Sequence, residues 1–104
     1  MSQFVVYANA DATSRKSIPY WLNVQSDLIE TADSRVVIPM VTSEHAGGSI
    51  KRLMPELTVA GKRMVMDTAQ ITSVTLQMLG KPVADLSRDR LVIMDAIDML
   101  THGI

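Results

Sequence analysis

The sequence contains no cysteine. That excludes a disulfide framework, a thiolate nucleophile and a Cys-ligated zinc site. Aromatics are scarce: Phe4, Tyr7, Tyr20 and Trp21 are the only four, all within the first 21 positions. Long apolar runs are missing too. The longest, Val36 to Val41, contains Pro39 and falls far short of the ~20 residues that span a bilayer. The N-terminus shows no basic segment followed by an apolar stretch, so no secretory signal is expected and the expected location is cytoplasmic. Neither charge sign is in excess: ten Lys and Arg face eleven Asp and Glu, for a net charge of −1. A domain that binds nucleic acid alone through a broad basic face does not look like this.

What is present is the balance of a globular domain. The chain of 104 residues is 47% hydrophobic and 20% charged, which reads as a single domain spanning 1–104. Eight methionines supply flexible thioethers suited to filling an irregular core. Phe4 to Tyr7 reads as a first strand and Asn9 to Ser17 as an exposed loop. Trp21 to Gln25 alternates, with Leu22 and Val24 on one face and Trp21, Asn23 and Gln25 on the other. A polar turn follows, interrupted by Leu28 and Ile29, which must either tuck under the loop or face a partner. Val36 to Val41 reads as a strand buried on both faces, with Pro39 marking an edge or a bulge. Thr42 to Arg52, with Gly47 and Gly48, is a second long loop. Leu57 to Met66 reads as a hairpin turning at Gly61-Lys62, and Val74 to Met78 as a strand ending at Gly80-Lys81-Pro82.

The period then changes from that of a strand to that of a helix. Asp85 or Ser87 can cap it, and Ile93, Ala96, Ile97, Leu100 and Ile104 form one apolar stripe. Asp95, Asp98 and His102 lie on the far side. Val92 and Met99 share a flank, making the apolar arc wider than one sheet contact needs, as a second subunit would explain. Several strands followed by one terminal helix predict a mainly β, α+β fold, a small barrel closed by that helix.

Motifs for catalysis are not apparent. Gly61-Lys62 lacks the rest of a phosphate-binding loop, and Gly47-Gly48-Ser49 lacks dinucleotide-binding spacing. His45 and His102 have no histidine partner at i+4, so no metal or other cofactor is expected. Asp67-Thr68 reads as turn chemistry. At the helix end, acids near the negative pole are mildly unfavourable, and only His102, if protonated, is expected to offset them within the chain. A cationic partner is one way to complete that end; a solvated acidic face is the other.

Five segments, Gln3-Phe4 with Tyr7, Val24-Gln25-Ser26-Asp27, Val37-Ile38-Pro39, Val83-Ala84-Asp85-Leu86-Ser87 and Gly103-Ile104, resemble in order and spacing the CcdB toxin family. The resemblance covers almost the whole chain. It implies an SH3-like barrel of antiparallel strands closed by a C-terminal α-helix, and a homodimer. It also implies a non-enzymatic toxin of a toxin–antitoxin module that binds the DNA gyrase A subunit and traps its cleaved-DNA complex. A CcdA-type antitoxin would neutralise it, and the pair, but not the toxin alone, would bind operator DNA. Carried residue by residue, the gyrase-binding positions are Leu28, Ile29, Asp98, Thr101, His102, Gly103 and Ile104. At Thr101 and His102 the relatives carry large aromatics able to stack on a target arginine, so this chain departs from the family there. An endoribonuclease of the same fold and a non-toxic, antitoxin-binding relative are the rival readings, because fold alone does not decide function.

Overall fold

The computed structural model describes residues 1–46 and 50–103; Gly47, Gly48, Ser49 and Ile104 lie outside the described residues. In chain order the elements are β1 (Val5–Asn9), β2 (Tyr20–Asn23), β3 (Ser34–Val41), a short α1 (Ser43–Ala46), β4 (Glu56–Val59), β5 (Lys62–Met66), β6 (Thr72–Thr75), β7 (Leu79–Asp85) and α2 (Arg90–His102). The strands pair in the order β4-β5-β3-β2-β1-β7, antiparallel throughout, while β6 joins the first half of β3. This curled sheet, closed by α2, is the expected SH3-like barrel.

Alternation decides what the sheet encloses. Leu22, Val24, Ile38, Met40, Met64 and Met66 project inward from neighbouring strands and meet Ile93 and Ala96 of α2. Three of the eight methionines therefore fill the main core, where an unbranched side chain adapts to a strongly curved wall. The opposite face is also covered. Trp21, Tyr7, Val37 and Leu79 form a second, smaller cluster beneath Ile18, Val74, Leu76 and Met78. From residue 37 to residue 41 β3 is thus buried on both faces, as its continuous apolar run predicts, whereas Val36 at the start of that run is 38% exposed.

Pro39 is neither at a sheet edge nor at a bulge, contrary to the expectation. It lies in the central strand, opposite Trp21 of β2. Its carbonyl accepts the Asp67 N–H at 2.9 Å, and a residue's N–H points to the same side of a strand as its carbonyl. On that side β6 pairs with Ser34 to Val37 and β5 begins at Met40. The missing N–H therefore faces the break between two partner strands, where no ladder bond is lost.

Three other boundaries move. Asn9 is a buried strand end, not loop; its side-chain amide donates to Ser14 Oγ and the Ile18 carbonyl, both at 2.9 Å, and so pins the loop that follows. The expected strand through Met78 stops at Thr75, and Leu76–Met78 form a 3₁₀ turn. Gly80-Lys81-Pro82 is not a terminator but the interior of β7. Proline is tolerated there because β7 is an edge strand whose pairing shifts between Val6↔Ala84 and Tyr7↔Pro82. Neither Asp85 nor Ser87 caps α2, contrary to the expectation: Asp85 accepts the Ser87 N–H at 2.9 Å in a local turn, the 3₁₀ turn Ser87–Asp89 intervenes, and α2 starts from Asp89 without a side-chain cap.

The β4–β5 turn falls at Ala60-Gly61, one residue before the predicted position, because Leu57, Val59, Met64 and Met66 must all face inward. Ala60 has φ 49° and Gly61 φ 82°, the pair of positive values of a type I′ turn. A Cβ-bearing residue is disfavoured at the first of these, and asparagine tolerates it best. Ala60→Asn is accordingly expected to stabilise the fold by about 0.5–1 kcal/mol, read as a higher urea midpoint at unchanged slope.

Candidate functional site

Two surfaces carry the residues predicted to bind a target. The first is the β2–β3 turn. Leu28 and Ile29 do not tuck under it: Leu28 is 92% exposed and Ile29 59% exposed. Their backbone is nonetheless firmly held. The Ser26 hydroxyl accepts the Leu28 N–H at 3.1 Å and the Ser26 carbonyl accepts the Ile29 N–H at 3.0 Å. On one side Asp27 Oδ1 accepts the Gln3 N–H at 2.8 Å. On the other, Arg35 Nη1 donates to the carbonyls of Thr31 and Ser34 at 2.8 and 2.7 Å. Ile29 borders a small depression shared with Met1, Gln25, Asp27, Glu30 and Arg35. Leu28 stands clear of it.

The second surface is the end of α2. The chain leaves the helix at Gly103, whose φ of 75° allows its N–H to bond the Met99 carbonyl at 2.8 Å. This left-handed cap suits glycine because no Cβ is strained. The Thr101 hydroxyl donates back to the Ile97 carbonyl at 3.0 Å and lies 2.8 Å from His102 Nδ1. Thr101 and His102 thus form a hydrogen-bonded pair. Asp98 and His102 line one open depression together with Arg52 and Asp95. Ile104 lies outside the described residues, so the stripe and site positions assigned to it have no structural account.

Arg52 corrects the reading of the acidic helix end. His102 is not the sole counter-charge within reach. Arg52 arrives from the loop before β4 and binds Asp95 through both forks, Nε to Oδ2 and Nη2 to Oδ1, each at 2.8 Å. The partners lie 43 positions apart, so no spacing rule along the helix could find them. Arg52 holds the Asp95 carboxyl below its ordinary range, first through these hydrogen bonds and further through its charge. Folded-state depression means that the contribution is present above the ordinary carboxylate pKa and is lost as pH falls through the depressed value. Arg52→Gln is expected to return the Asp95 titration to the ordinary carboxylate range, as followed by side-chain carboxyl NMR. An unchanged titration would show that the ion pair does not persist in solution.

Among the sequence-predicted site residues, the described structure therefore places Leu28 and Ile29 together on one turn. Asp98, Thr101, His102 and Gly103 gather on one helix end. The two groups line different depressions. Sequence reasoning placed Asp95 on the same face as Asp98 and His102 but missed Arg52 as their neighbour.

The fold is a mainly β barrel closed by a terminal helix, with two exposed aliphatic side chains on a hydrogen-bonded turn and a glycine-capped helix end. A sequence profile of the CcdB protein family matches residues 3–103. The chain belongs to the CcdB family, the toxins of toxin–antitoxin modules.

Proposed function

We propose that this toxin acts by binding, without catalysis, on the DNA gyrase A subunit, and that it traps the complex in which gyrase has cleaved DNA. Leu28 and Ile29 form one contact; Asp98, Thr101, His102 and Gly103, with Ile104 following them, form the other. The acting species is a cytoplasmic homodimer, for which the exposed Leu91, Val92 and Met94 of α2 offer apolar surface. A CcdA-type antitoxin neutralises it, and the pair binds operator DNA to repress its own synthesis. The observation that supports this reading most is the turn: a family member exposes two adjacent aliphatics where burial or replacement by polar residues would otherwise be favoured.

Purified protein is added to gyrase and supercoiled plasmid, and linear DNA is counted after detergent and protease treatment. Double-strand breaks that require both gyrase and toxin are expected. Unaltered supercoiling without breaks at micromolar toxin overturns the proposal. So does cleavage of a bare RNA transcript by the protein alone, which would make it a nuclease. Normal colony growth on inducing the gene without its antitoxin would mark a member that has lost toxicity.

A further inference from the structure

Gln25 is a polar residue that the barrel buries at the base of the exposed turn, with 9% of its surface accessible. Burying a primary amide is unfavourable unless its donors and acceptor are all used. Here they are. Gln25 Nε2 donates to the Ile29 carbonyl at 2.7 Å and to Thr31 Oγ1 at 3.2 Å. Gln25 Oε1 accepts the N–H of Val36 in β3 at 3.0 Å. The same residue is anchored from below, since its own N–H is accepted by Asn23 Oδ1 at 3.1 Å and Asn23 Nδ2 donates to the Ser2 carbonyl at 3.0 Å. One side chain thus ties the turn's outgoing arm at Ile29 and Thr31 to the start of the returning strand.

That arrangement has a consequence for the aliphatic pair. Left free, adjacent leucine and isoleucine side chains in a flexible loop would collapse against nearby apolar surface, and ordering them again on binding would weaken affinity. The Gln25 amide instead fixes the carbonyl of Ile29 itself, and with it the direction of the side chain. We infer that Gln25 is a positioning residue for target recognition: it does not touch the partner but holds Ile29 and Leu28 in the projecting geometry that the partner meets. The inference rests on the proposed role of the turn in binding gyrase.

A double-mutant cycle separates the two ideas. Equilibrium binding to the gyrase A subunit is measured for the wild type, Gln25→Glu, Ile29→Ala and the double variant, well below the melting temperature of each. Gln25→Glu keeps an oxygen for the Val36 N–H but loses the donor to Ile29. It is expected to weaken binding about tenfold in the wild type and less than about twofold beside Ile29→Ala. Amide exchange at residues 28–31 should quicken in parallel. Equal losses in both backgrounds, or no loss in the wild type, overturn the positioning role while leaving the site intact. An Ile29→Ala variant that binds like the wild type overturns the site itself, and the positioning role with it. Should Gln25→Glu fail to fold, Thr31→Val removes the second acceptor, together with the hydroxyl's own bond to the Ser34 carbonyl, and is read by the same cycle against Thr31→Val beside Ile29→Ala, with a smaller loss expected.

Discussion

Ile29→Asp is expected to lower affinity for the gyrase A subunit by at least about 100-fold while leaving the barrel folded. Both halves of this expectation come from exposure. An isoleucine that is 59% exposed contributes little to the core, so its replacement should alter stability by no more than about 0.5 kcal/mol. At an interface the same side chain would be desolvated. Burying one aliphatic side chain stabilises by about 1.5–3 kcal/mol, and placing a carboxylate there adds a desolvation cost. Calorimetric titration of gyrase A with the variant, beside a circular-dichroism melt, checks both. Retained binding would move the contact surface away from the turn. Leu28→Asp should behave alike, because Leu28 is the more exposed of the two.

Ile93→Ala should have the opposite signature, a large loss of stability that takes binding with it. Ile93 is fully buried and joins α2 to the main core, where it meets side chains from several strands. Truncating such a residue leaves a cavity that the curled sheet cannot fill, at a cost of about 2–5 kcal/mol. For a domain of this size that corresponds to a melting temperature lower by roughly 10–30 °C. Leu91, two positions earlier on the same helix, is 77% exposed, and Leu91→Ala should shift the melt only slightly. Scanning calorimetry of the two variants tests whether α2 closes the barrel with the face the structure shows. A larger effect at Leu91 would invert the helix.

Much of this architecture is legible without coordinates. Strand alternation from Trp21 to Asn23, the doubly buried run from Val37 to Val41 and the change of period before Ile93 each follow from side chains seeking one face. Leu28 and Ile29 were legible as an anomaly for the same reason: two apolar residues amid polar ones demand burial or a partner. The departures have a common origin. Gly80-Lys81-Pro82 carries strong turn chemistry, yet β7 passes through it because an edge strand with shifted pairing needs few of its N–H groups. Pro39 reads as an edge residue, yet sits in the central strand because two different strands meet opposite it. In each case the local signal was right about the missing donor and silent about where in the sheet that donor would have pointed.

The amino-acid order alone determined most of the strands and the terminal helix, though not β7, together with which faces are apolar and which family the chain resembles, because these depend on periodicity and on residues close in sequence. Only the tertiary structure decided that Arg52 neutralises Asp95 and that Gln25 braces the turn carrying Ile29. Both are side-chain bonds whose partners are chosen by the folding of the barrel: 43 positions apart for the ion pair, and across the β2–β3 turn for the amide. Short-range hydrophobic patterning is written along a chain, whereas a hydrogen bond between distant side chains exists only once the intervening backbone has been placed.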